Sequence, residues 1–73
     1  MPELPSISGK EAINVFNRLG FNSVRQKGSH VVLRNGAHGC VVPLHKSLAK
    51  GTLRGAIKQA GLSVEDFLDE YKK

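Results

Sequence analysis

Seventy-three residues provide for one small core and exclude a second core, a cofactor-binding α/β sheet or a barrel enzyme. An apolar fraction of 40% with 23% charged residues excludes wholesale disorder, and a lone cysteine, Cys40, excludes a disulfide framework or a cysteine-based zinc finger. The net charge of +5 is unevenly placed: residues 12–64 hold eight basic residues and no acid, so that stretch carries +8 and its flanks −3. A basic middle of this kind favours a polyanionic partner, because each neutralised phosphate releases counterions; solubility is the plainer alternative.

The N-terminal Met-Pro-Glu-Leu-Pro has neither the basic nor the apolar region of a signal peptide. No apolar run approaches the ~20 residues that span a bilayer. A cytoplasmic protein is the expectation, consistent with the single thiol.

Ser8-Gly9-Lys10-Glu11 is a capping box, and Ile7 and Ala12 occupy the staple positions around it. Ala12, Val15, Phe16 and Leu19 form one buried stripe, and Gly20 sits where a left-handed residue ends a helix, with Phe21 closing onto Phe16. A first helix is therefore expected over residues 9–19.

From Phe21 to Pro43 the period changes. Val24, Val31, Val32, Leu33, Val41 and Val42 are β-formers broken by Lys27-Gly28 and by Asn35-Gly36. Three antiparallel strands are expected, over residues 22–26, 29–34 and 39–42, with Pro43 ending the third.

A second helix follows, with Leu53, Ala56, Ile57 and Ala60 as its stripe, Gly51 or Thr52 as its cap and Gly61 as its stop. Ser63 caps a third helix, with Asp66 in its first turn and Val64, Phe67, Leu68 and Tyr71 as its stripe. The order α-β-β-β-α-α implies an α+β fold, a three-stranded antiparallel sheet with helices on one face.

Few residues can carry chemistry. The acids all lie in the first 11 or last 9 residues and form no pair across an expected cleft. No Gly-rich phosphate loop is present. Histidine remains, the side chain best suited to proton transfer near neutral pH. His30 opens the second strand, where alternation puts it on one face with Val32 and Arg34, close to Lys27 and Arg25. A histidine among cations can meet an RNA phosphodiester and move a proton to or from it. The competing reading is a solvated strand histidine.

His38, just after the Asn35-Gly36 turn, reads as a loop residue. His45 follows Pro43-Leu44, where the chain leaves the sheet, and can face the same surface as His30. The three histidines match no zinc-ligand spacing. Lys46, Lys50, Arg54 and Lys58 recur every four residues; Lys50 with the Gly51 and Thr52 amides would make a phosphate site at a helix N-terminus, against the alternative of a solvated face. Cys40, in a strand, reads as a packing residue. The acidic end of the third helix reads as a solubilising surface that turns RNA elsewhere.

Lys27-Gly28-Ser29-His30, then Val42-Pro43-Leu44-His45, then the run from Gly51 through Leu53-Arg54-Gly55 to Gly61-Leu62-Ser63, resembles the HicA family of toxins over nearly the whole chain. The resemblance implies one domain over residues 1–73, similar to the double-stranded-RNA-binding domain with an extra C-terminal helix. It implies a metal-independent endoribonuclease that cleaves mRNA, needs no cofactor, and is blocked by a HicB-type antitoxin. The family's catalytic histidine maps onto His30. Lys27, Gly28, Ser29, Lys50, Arg54 and Lys58 are the expected RNA-binding residues, with Gly28 and Ser29 shaping the turn that presents His30. The short connection at Asn35-Gly36 departs from many relatives. Two rival readings remain: a non-catalytic module that grips structured RNA by shape, and a small protein-docking domain.

Overall fold

The computed structural model describes residues 3–73; Met1 and Pro2, the start of the segment read above for a leader, lie outside the described residues. The elements follow the order α1 (Gly9–Arg18), β1 (Asn22–Lys27), β2 (His30–Asn35), β3 (His38–Pro43), α2 (Lys50–Gln59) and α3 (Val64–Tyr71). The sheet is antiparallel in the order β1-β2-β3.

Local chemistry decides where the helices begin and end. Ser8 Oγ accepts from Glu11 N and Ser8 N donates to the Glu11 carboxylate, both at 3.0 Å. Ser63 and Asp66 repeat the box at α3. At the end of α1, Phe21 N donates to Phe16 O and Gly20 N to Asn17 O, the two bonds of a Schellman ending, and the Phe16 and Phe21 rings meet edge-on at 5.7 Å. At the end of α2, Leu62 N donates to Ile57 O and Gly61 N to Lys58 O in the same way.

The start of α2 differs from the sequence reading. Its N-cap is Ala49, with no side-chain cap, in place of Gly51 or Thr52. The buried Leu48 decides this: its N–H is already held by Ile7 O at 2.8 Å, so the chain turns into helix directly after it.

Each hairpin has a two-residue loop with glycine first, Gly28-Ser29 and Gly36-Ala37, and neither Ser29 nor Ala37 has positive φ. This is the arrangement of a II′ turn. Asn35 is therefore the last residue of β2, paired with His38, and His38 opens β3 rather than lying in a loop. Its imidazole packs over the corner between α2 and α3, where a Cβ on Gly61 would stand 2.8 Å from Nδ1.

One core fills the space between the helices and one face of the sheet. Val31 and Leu33 from β2, Cys40 and Val42 from β3, and the expected stripes of α1, α2 and α3 all enter it. Phe16 and Phe67, with ring centroids 5.2 Å apart, join α1 to α3. Leu4, Ile7 and Leu48 are buried as well, although they lie outside any helix or strand. They belong to a strap in which residues 6–9 run beside residues 45–48. Leu48 N bonds Ile7 O, Gly9 N bonds His45 O, and the Ser6 and Ser47 hydroxyls meet.

Candidate nucleic-acid interface

The second face of the sheet is open. Cross-strand partners share a face, so the register Lys27↔His30↔Pro43 and Arg25↔Val32↔Val41 places Arg25, Lys27, His30 and Val32 together there, with Arg34 farther along. His30, Lys27, Arg25 and Arg34 are all exposed, whereas the alternate residues Val31 and Leu33 are in the core. Alternation along β2 is thus as the sequence implied. In β1 it is interrupted by a bulge between Ser23 and Arg25, which leaves Val24 55% exposed and without a cross-strand partner.

The turn that presents His30 is held from both sides. Gly28 takes φ +59°, a left-handed value that a side chain would strain, and Gln26 Nε2 donates to Gly28 O at 3.1 Å. Ser29 O accepts from Leu44 N at 2.6 Å, extending the pairing of β2 and β3 beyond their last strand residues. His30 therefore stands on a fixed backbone between Lys27 and Pro43.

The α2 cations occupy another layer. Lys50, Arg54 and Lys58 form an exposed stripe at four-residue spacing, on a helix that buries Leu53, Ala56 and Ile57 against the inner face of the sheet. Val41 N donates to Gln59 Oε1 at 3.4 Å, so α2 reaches the β3 strand from its helical side. Lys27 and His30 are thus close neighbours, while Lys50, Arg54 and Lys58 are grouped separately. Lys46 precedes the helix and does not join its stripe.

Ion pairs thin out the basic middle. Lys50 Nζ lies 2.6 Å from Glu3, and this pairing holds the Glu3 carboxyl below its usual range. Arg18 bonds both the carboxylate and the backbone carbonyl of Glu70, at 3.2 and 3.1 Å, so the acidic end of α3 braces α1 as well as facing solvent. Arg25, Lys27, Arg34, Lys46, Arg54 and Lys58 have no carboxylate partner among the described residues. A surface with these free cations attracts phosphates.

Beside Ser29 the strap forms a depression of about 340 Å³ lined by Ser8, Lys10, Leu44, His45 and Lys46. Its lining joins two segments 34 or more residues apart in sequence, so spacing gave no sign of it. Among the described residues, no three His, Cys, Asp or Glu side chains gather as a metal site would require. No helix among the described residues is long and apolar enough to cross a membrane. Cys40 is buried beneath β3, and burial pushes its thiol up to about 11.

No curated protein matches the chain significantly. The family model described as HicA toxin of bacterial toxin-antitoxin matches residues 9–62, from the first residue of α1 past the Schellman ending of α2. That span contains the whole sheet, the turn carrying His30 and the cationic stripe of α2, and the chain belongs to the HicA toxin family.

Proposed function

We propose that this HicA toxin is an endoribonuclease that cleaves mRNA with His30 as its acid or base. The family is known as mRNA interferases. The observation that carries the reading for this chain is the placement of an exposed His30 beside Lys27, on an open sheet face that also holds Arg25 and Arg34.

In the proposed reaction the RNA's own 2′-oxygen attacks the adjacent phosphorus. A 2′,3′-cyclic phosphate forms and the 5′-oxygen leaves. The imidazole of His30 takes the 2′-hydroxyl proton or supplies one to the leaving oxygen. Lys27 and Arg25 stabilise the charge that builds on the phosphoryl oxygens. No step calls for a metal or a cofactor. Gly28 and Ser29 aim the histidine, and Lys50, Arg54 and Lys58 hold more distant phosphates of the same strand. The first turn of α2 adds the unbonded amides of an uncapped helix start and no acid of its own.

A HicA toxin implies a HicB antitoxin as partner. We place an acidic patch of that partner on Lys27, Arg54 and Lys58, with part of it screening His30. Because Lys27 lies on the open face and Arg54 on the helical layer, such an inhibitor wraps the molecule rather than covering one flat surface.

The test is cleavage of an end-labelled RNA by the wild type and by His30→Ala, with circular dichroism to check folding. The substitution should abolish cleavage and leave RNA and antitoxin binding intact. A single 2′-deoxy sugar at the scissile position should protect the substrate. A folded His30→Ala protein that cuts at the wild-type rate would discard the assignment and leave the non-catalytic RNA-binding module as the better reading.

A further inference from the structure

The depression beside the His30 turn is the largest feature that the proposed chemistry leaves without a task. Leu44, 40% exposed, offers apolar surface there, and His45 adds a flat ring. Lys10 and Lys46 stand at the rim, and no acid lines it. Ser8 Oγ accepts the Glu11 N–H, which leaves its own O–H free to donate.

We propose that this depression seats one unpaired nucleobase of the RNA strand whose phosphodiester meets His30. Three observations support the assignment, which rests on the ribonuclease reading. The first is chemistry. An apolar floor with a stacking ring suits the face of a base, the lysines suit the flanking phosphates, and the Ser8 hydroxyl suits a base carbonyl. A phosphate alone would find little on the floor to bind.

The second is position. Leu44 N is bonded to Ser29 O, and Pro43 is the direct cross-strand partner of His30. The lining is therefore tied to the catalytic turn by backbone, with no flexible segment between them. The third is rigidity. Gly9 N donates to His45 O at 2.9 Å, and α1 approaches the strap so closely that a Cβ on Gly9 would overlap Pro43 O. The cavity is preformed, and its volume of about 340 Å³ accommodates a single base. Seating a base here selects single-stranded RNA, since a paired base cannot turn its face and edge into a pocket. It also supplies a preference at one position next to the cut.

The experiment has one arm independent of cleavage. His30→Ala protein is titrated with rA6, rC6, rG6 and rU6 while backbone amide NMR shifts are followed. Shifts at residues 8–10 and 44–46 should depend on the base, and Leu44→Ala in the same background should weaken the preferred oligomer by roughly 10-fold, the scale of one lost stacking contact. Leu44 is largely outside the core, and Lys46→Ala, a surface change, serves as the second variant. In the cleaving protein both should raise KM more than they lower kcat and flatten base preference at one position beside the cut. Base-independent shifts confined to Arg25, Lys27 and α2, with unchanged affinity in both variants, would overturn the proposal. So would loss of antitoxin binding with RNA affinity intact, which would make this a protein-docking groove. A wild type that cuts no RNA would refute the nuclease reading, and the base-dependent titration would still decide this one.

Discussion

Gly9→Ala should unfold this protein more readily, although alanine is normally the better helix residue. The backbone is at its closest here. An added Cβ would overlap the Pro43 carbonyl oxygen and stand 3.0 Å from Leu44 Cα, both main-chain atoms that cannot rotate away. Either α1 withdraws or the strap does, and the Gly9 N–His45 O bond is lost in the process. Overpacking of this kind costs about 1–3 kcal/mol, and the lost hydrogen bond about 0.5–1.5 kcal/mol. Together they give a destabilisation of about 2–4 kcal/mol, a large share of the ~4–11 kcal/mol typical of 73 residues at about 0.05–0.15 kcal/mol each. Gly55→Ala is the matched control. Its Cβ meets nothing within 4 Å on α2, so it should stabilise by about 0.5–1 kcal/mol. Urea unfolding at constant pH reads both: with m near about 1 kcal/mol/M, the Gly9→Ala midpoint should fall by about 2 M or more and the Gly55→Ala midpoint should rise. Two variants that shift together, or a Gly9→Ala midpoint at or above wild type with m unchanged, would refute the close-approach argument. It would also remove the support for a rigid strap beside His30.

Two further outcomes are expected. Burial raises the Cys40 thiol to about 11, so the folded state resists ionising it; stability from this group is complete below the ordinary thiol value of about 8.5 and is lost as pH rises from there toward 11. Urea midpoints over that range should fall faster in wild type than in Cys40→Ala, and equal slopes would contradict the assignment. Arg54→Ala should flatten the log–log salt dependence of RNA binding by roughly one unit. Glu3→Gln, by releasing Lys50 from its ion pair, should tighten RNA binding, and Lys50→Ala should cancel that gain; a gain that persists without Lys50 would mean that the pair does not govern phosphate binding.

Much of the architecture was legible along the chain because its determinants are local. Ser8 and Ser63 hydrogen-bond three residues ahead, and Gly20 and Gly61 close their own helices, so these boundaries could be read from adjacent residues. Alternation in β2 likewise put His30 opposite Val31 and Leu33 before any register was known. Where reading was local but the decision was not, it missed. Ala49 caps α2 because Leu48 is tied to Ile7, 41 residues earlier, and no property of Gly51 or Thr52 could reveal that. His38 enters β3 because the turn takes Gly36 as its first central residue, which moves Asn35 into the strand.

The sequence by itself determined the element order, the stripes that form the core and the basic middle with His30 at the start of a strand, since each depends on residue type at short spacing. Only tertiary structure decided which cations stand together. Strand pairing brings Lys27 and His30 side by side, while the packing of α2 on the inner face sets Arg54 and Lys58 apart from them. It likewise neutralised Lys50 and Arg18 with acids from opposite ends of the chain, and built the depression at Leu44 from two distant segments. Such juxtapositions depend on how the faces of the helices and the sheet are matched when the core closes, and that matching brings together residues far apart in sequence.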